Sequence, residues 1–142
     1  DRKIKIHSNI YNPDYIVIVD ETQIDNKVLK GIKDNTILII NTDEPKENIS
    51  SRLSLTEKQK ERMVCIPATR ISRKNLGKVF PNIPMLTGII YNLNIYSKKE
   101  YLEEIEEKLR ESFSDREELV KGNLNVAKET WEYLEENNKK KR

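Results

Sequence analysis

Three short apolar runs punctuate the first half of the chain, and an apolar repeat of helical spacing fills the second. The runs are Tyr15–Val19, Thr36–Ile40 and Met63–Ile66, each nearly unbroken, the pattern of strands covered on both faces as in a parallel sheet. After the first run, Val28, Leu29 and Ile32 fall at helical spacing with Gly31 near the end, which predicts a helix within residues 25–35. The second run leads through Asn41-Thr42-Asp43 into residues 44–55, a short helix or irregular crossover. The third leads through Pro67-Ala68-Thr69 into a short helix closed near Gly77. Strand, crossover, strand, crossover, strand implies right-handed parallel connections in a layered α/β domain.

Past Gly77 the period is wholly helical. Met85, Leu86, Ile89 and Ile90 predict a helix whose first turn tolerates Pro81 and Pro84. Ser97-Lys98-Lys99-Glu100 has the form of a capping box and opens a helix with Leu102, Ile105, Leu109 and Phe113 on one face. Ser114-Asp115-Arg116-Glu117 repeats that form before a last helix striped by Leu124, Ala127, Trp131 and Leu134, its first turns weakened by Gly122. Lys3–Ile6 alternates like a strand, although the chain opens on Asp1-Arg2 without an initiating Met, so the reading begins as if inside a domain.

Composition narrows the possibilities. At 142 residues the chain suits one domain spanning 1–142. Charged residues make up 35% of it, yet 26 basic side chains nearly balance 24 acidic ones, which is no nucleic-acid signature. The basic excess gathers in residues 138–142, read as a solvated tail. No apolar run reaches transmembrane length and no signal peptide is visible, so no membrane association and a cytoplasmic setting are expected. The one cysteine, Cys65, reads as a small buried hydrophobe; alone it provides neither an intrachain disulfide nor a four-cysteine cluster. The sole histidine, His7, has no recognisable nucleophile or carboxylate around it, and the glutamate pairs at 103–104 and 106–107 read as a solvated helix face. No catalytic or metal-ligating set emerges.

A nucleotide-binding strand normally runs into a glycine-rich turn that admits phosphate, but Tyr15–Val19 is followed by Asp20-Glu21-Thr22-Gln23-Ile24. Two other places suit a ligand. Thr42, with Asn41 and Asp43, stands at the carboxyl end of the second strand, where donors meet ligands in open α/β sheets; the same residue types also form turns that serve only the fold. Asn82 lies just before a helix whose free N–H groups suit a phosphate or polar group, or it serves that helix as its cap.

In order, "DRKIKIHSNIYNPDYIVIVDETQI", "LKGIKDNTILIINTDEP", "CIPATRIS", "PNIPMLTGII" and "LVKGNLNVAKETWEYL" resemble the gamma subunit, or gamma domain, of the 2-oxoacid:ferredoxin oxidoreductases. The matching features are Pro13-Asp14, Asn41-Thr42, Ala68-Thr69, Asn82 with Met85-Leu86, and Asn125 before Ala127. The resemblance implies a three-layer, Rossmann-like domain with a mostly parallel sheet and C-terminal helices. In this family a glycine-rich segment precedes the part matched here, so the N-terminal part of the domain is expected to be absent, or carried by a separate chain.

The implied role is subunit of a complex that decarboxylates a 2-oxoacid oxidatively with coenzyme A, giving acyl-CoA, CO2 and reduced ferredoxin. The segments around "NIYNPDYIVI" and "KGNLNVAKETWEYLEEN" look nearer to the pyruvate branch. By the same resemblance the thiamine diphosphate, Mg2+ and iron–sulfur clusters belong to partner alpha, beta and delta chains, and this chain binds none of them alone. Asn82 and, more weakly, Thr42 match positions expected near coenzyme A. The alternative is a non-catalytic nucleotide-fold module that binds or scaffolds. The charged lead "TEKQKERMVC" departs from the family pattern before the third strand.

Overall fold

The computed structural model describes residues 12–140. Three parallel strands, β1 (Tyr15–Ile18), β2 (Ile37–Asn41) and β3 (Met63–Ile66), pair in the order β1-β2-β3, with Tyr15 opposite Ile37 and Leu38 opposite Met63. The central strand explains the unbroken apolar run: Leu38, Ile39 and Ile40 are fully buried because both faces are covered. β1 differs from expectation. Only its Ile18 is buried, since it is an edge strand among the described residues, and Val19 lies beyond its end, exposed.

One face of the sheet, carrying Ile18, Leu38, Ile40 and Met63, packs on Leu29, Ile49 and Leu53 from the two crossovers. Ile49 and Leu53 belong to helix α1 (Lys46–Arg52) and its C-cap, and the short α2 (Glu57–Glu61) follows. The opposite face, carrying Ile39 and Ile66, packs on Ala68, Met85 and Leu134. These come from α3 (Ala68–Leu76), α4 (Asn82–Leu93) and α6 (Glu117–Lys139). The result is helix, sheet, helix: a three-layer α/β domain. Outside it α5 (Lys98–Ser112) completes a second core in which Tyr101, Ile105 and Leu109 meet Val120, Ala127 and Trp131.

Three local expectations change. The helix foreseen in residues 25–35 is only a 3-10 turn, Asn26–Leu29. Asp25 accepts from the N–H of Lys27, and Gly31 at φ 84° turns the chain away, so Val28, Leu29 and Ile32 reach the core without a helix. The second box does not form: Arg116 is the N-cap of α6 with no side-chain cap bond. Glu117 instead holds Arg110 at 2.7 Å, a charge-assisted bond to the preceding helix that outcompetes a neutral cap. Gly122, foreseen as a weak point, is a contact point, since a Cβ there would stand 2.6 Å from Leu76 Cδ2. Its bareness lets α6 lie close on α3.

The box at Ser97 is real, with Glu100 N–H donating to Ser97 Oγ and Ser97 N–H to Glu100. Gly77, at φ 66°, closes α3 as foreseen. Cys65 is half-buried against the first core. Lys139, assigned to a solvated tail, still belongs to α6. Lys3–Ile6 and His7 lie outside the described residues.

Candidate functional site

The three strands end at one edge, and each exit has its own polar chemistry. After β1, Asp20 Oδ1 accepts from the N–H of Thr22 at 2.9 Å and from its hydroxyl at 2.8 Å, which holds the Asp20 carboxyl below its ordinary value. This capped turn occupies the place where a glycine loop would offer bare N–H groups.

After β2, Asn41 is 3% exposed and fully engaged. Its Nδ2 donates to Val19 O and to Thr69 Oγ1, both at 2.9 Å, and its Oδ1 accepts from Thr69 N–H at 3.2 Å. One amide thereby ties the exit of β1, the end of β2 and the first turn of α3. Thr42 is also buried: its N–H extends the β2–β3 ladder to Ile66 O, and its Oγ1 accepts from Glu44 N–H at 3.1 Å. The structure therefore places Thr42 beneath the edge, within a turn.

Asn82 stands in the open. It is the first residue of α4 and not its cap; Pro81 holds the cap position and offers no side-chain bond. Its side chain is exposed and makes no hydrogen bond with other described residues. Met85 N–H is taken by Pro81 O and Pro84 has none, so the backbone donors left in this first turn are those of Asn82 and Ile83.

Two recesses flank the edge and share Asp43. One, of about 370 Å³, is lined by Thr69, Arg70, Arg73 and Lys74. Arg70 Nε donates to Asp43 at 2.7 Å, which makes its guanidinium still harder to deprotonate. Lys74 and Asn75 hold Glu129; burial pushes that carboxyl up, but these bonds and the charges of Lys74 and Arg70 outweigh it and leave it lowered. The other, of about 380 Å³, runs beside β3 between the Asp43–Glu47 segment and Tyr91, Asn92, Tyr133 and Asn137. Neither recess is lined by Asn82 or Thr42. The basic corner on α3 escaped the sequence reading, although "RISRKNLGK" carries four cations and no acid.

Among the described residues no group of three or more His, Cys, Asp or Glu side chains is placed to hold a metal ion, and no helix is long and apolar enough to cross a membrane.

Parallel strands, helices on both faces and polar exits along one edge define an α/β domain of nucleotide-fold type. The chain belongs to the pyruvate ferredoxin/flavodoxin oxidoreductase family, whose model matches residues 1–133. It is 30% identical over 133 residues to the pyruvate/ketoisovalerate oxidoreductases common subunit gamma of Thermococcus litoralis, covering 93% of this chain and 67% of that one. To the pyruvate synthase subunit PorC of Thermotoga maritima it is 26% identical over 135 residues, covering 93% and 66%. The crystal structure of pyruvate oxidoreductase subunit PORC from Thermotoga maritima shares its fold, with a TM-score of 0.68 at 22% identity over 87% of this chain and 64% of that one. The chain thus spans about two thirds of the length of these relatives.

Proposed function

We propose that this chain works as the gamma-type subunit of a multi-subunit 2-oxoacid:ferredoxin oxidoreductase, with pyruvate as the 2-oxoacid. The observation that carries this reading is the family match over residues 1–133, together with relatives named as subunits of pyruvate and ketoisovalerate oxidoreductases. The complex breaks the bond between the carboxylate and the carbonyl carbon of the 2-oxoacid and releases CO2. The electron pair passes to ferredoxin, and the acyl group passes to the thiol of coenzyme A. Thiamine diphosphate, Mg2+ and iron–sulfur clusters supply that chemistry from the alpha, beta and delta chains.

This chain's own part is docking and assembly. Asn82 offers an unpartnered amide beside the free N–H groups of Asn82 and Ile83, a donor set suited to a polar group of coenzyme A. Thr42, buried in its own turn where its hydroxyl accepts from Glu44 N–H, shapes the exit of β2. A non-catalytic scaffolding module is the second reading, favoured by the full commitment of Asn41 and Thr42 to the fold.

Native mass spectrometry of the chain purified anaerobically from its own cells tests the assignment. Recovery with thiamine-binding and iron–sulfur chains, and pyruvate- and coenzyme A-dependent ferredoxin reduction by that complex, is expected. In the complex Asn82→Ala should raise KM for coenzyme A several-fold with KM for pyruvate unchanged, since one good hydrogen bond is worth about 1 kcal/mol. Recovery of the chain alone would leave only the scaffolding reading.

A further inference from the structure

Helix α4 is built unlike its neighbours. Its twelve residues, Asn82–Leu93, include no charged side chain, whereas α5 and α6 are laced with Glu and Lys. One side packs on the sheet through Gly88, where a Cβ would meet Ile66 and Ile39, and on the second core through Ile83 and Ile90. The other side is open: Asn82, Leu86 and Leu93 recur at helical spacing along it. Seven large apolar side chains stand exposed among the described residues, and six of them, Val79, Phe80, Leu86, Leu93, Ile95 and Tyr96, belong to α4 or its two flanks. A helix apolar on all sides is normally buried on all sides.

Charge says what covers it. From Arg62 to Lys99 the sequence holds no Asp or Glu in 38 residues; at the chain's average of 24 in 142, about 6 would be expected (38 × 24/142). The same stretch carries Arg62, Arg70, Arg73, Lys74, Lys78, Lys98 and Lys99. Acids from elsewhere answer some of them: Asp43 holds Arg70, Glu129 holds Lys74, Glu132 holds Lys98 and Glu103 lies 3.8 Å from Lys99. Arg73 and Lys78 form no ion pair with the described residues, and Lys78 directly precedes Val79 and Phe80. An apolar centre with an aromatic ring, an uncompensated cation beside it and no acid in the whole stretch, is the make-up of a protein interface, while its cations are too sparse for a nucleic-acid surface.

We propose that the open side of α4, with its flanks at 78–80 and 94–97, is the surface on which another subunit of the complex docks, presenting an apolar patch edged by Asp and Glu. The proposal rests on the subunit reading given above. Phe80 is the anchor, 54% exposed and positioned by its N–H bond to Ser72 Oγ. Lys78 sets the orientation and the association rate.

The test uses the complex purified anaerobically from its native cells and the isolated chain side by side. Hydrogen exchange at 78–80 and 94–97 is expected to slow at least about tenfold in the complex, as exposed flanks become covered, and a zero-length amine–carboxyl cross-linker should join Lys78 to Asp or Glu of a partner chain. Protection elsewhere, with these flanks exchanging as in the isolated chain, would overturn the surface and leave the subunit reading intact. Absence of any complex would overturn both. Equal protection in concentrated isolated chain would show that a second copy covers the face, and partition onto phosphatidylglycerol vesicles would assign it to lipid; either result rejects the proposal. Leu86→Asp, at an exposed position, should lower recovery in the complex about tenfold while the far-ultraviolet spectrum is kept, and Val19→Asp, exposed on the far edge, should not.

Discussion

Replacing Asn41 with Ala removes three hydrogen bonds at once: two donated, to Val19 O and Thr69 Oγ1, and one accepted from Thr69 N–H. Neutral bonds contribute about 1 kcal/mol each, so the variant should lose about 3 kcal/mol, with more if Thr69 N–H is left without any acceptor. In urea, with an m-value of about 2 kcal/mol/M for a chain of this size, the midpoint should fall by about 1.5 M. Asn41→Asp separates hydrogen bonding from packing. The carboxylate still accepts from Thr69, but it faces the Val19 carbonyl without a proton to offer, so its folded pKa is raised above the unfolded value of about 3.9. A group raised in this way contributes stability that is present below the unfolded pKa and lost as pH rises through the folded one. The deficit of Asn41→Asp relative to the parent, measured at each pH by circular dichroism in urea, should therefore shrink between pH 7 and pH 4. A deficit of Asn41→Ala below about 0.5 kcal/mol, or a deficit of Asn41→Asp indifferent to pH, would refute the idea that this amide ties the strand exits together.

Gly88→Val should destabilise by about 2 kcal/mol or more, because even a first carbon would stand 2.5 Å from Ile66 Cδ1 and 3.3 Å from Ile39 Cγ2, both fully buried; a parent-like melting temperature would show that α4 can shift off the sheet. Tyr101 is held neutral by burial, opposed by its bond to Thr87, with its pKa pushed up to about 12 from the ordinary tyrosine value of 10.0. Its contribution is complete below the unfolded value and is lost as pH rises towards the folded one, about 2 to 3 kcal/mol in total. Tyr101→Phe should cost about 1 kcal/mol at neutral pH and flatten that alkaline loss, which urea titrations across the range would show.

The sheet was legible because two strands carry the signature of their environment. Leu38–Ile40 and Met63–Ile66 read as apolar runs because one is central and the other has helices over both faces. β1 reads the same way, yet like β3 it is an edge, with Tyr15, Ile16 and Val17 only half-buried, because strand position is a property of the pairing, which a single run does not encode. The helix foreseen at 25–35 failed because three apolar residues at the right spacing satisfy a 3-10 turn equally well once Asp25 and Gly31 fix its ends. The second box failed for a non-local reason: Glu117 had a better partner in Arg110, seven residues back. At the site, Thr42 and Asn82 look alike in sequence as polar residues beside an element's end, and only burial separates them. The α3 corner was visible as a run of cations, but its Asp43 and Glu129 partners come from distant segments.

Trp131, the chain's one tryptophan, sits where Tyr91 of α4 meets it edge-on at 5.0 Å and Tyr101 of α5 stacks on it at 5.3 Å. Its emission therefore reports on the helical core alone, since the Leu38–Met63 core across the sheet contains no tryptophan. The molecule thus carries a built-in spectroscopic reporter of subglobal opening: a fluorescence transition preceding the loss of strand signal would show the helical half letting go while the sheet stands, and coincident transitions would show that the bare crossing at Gly88, where α4 meets Ile66 and Ile39, welds the two halves into one cooperative unit.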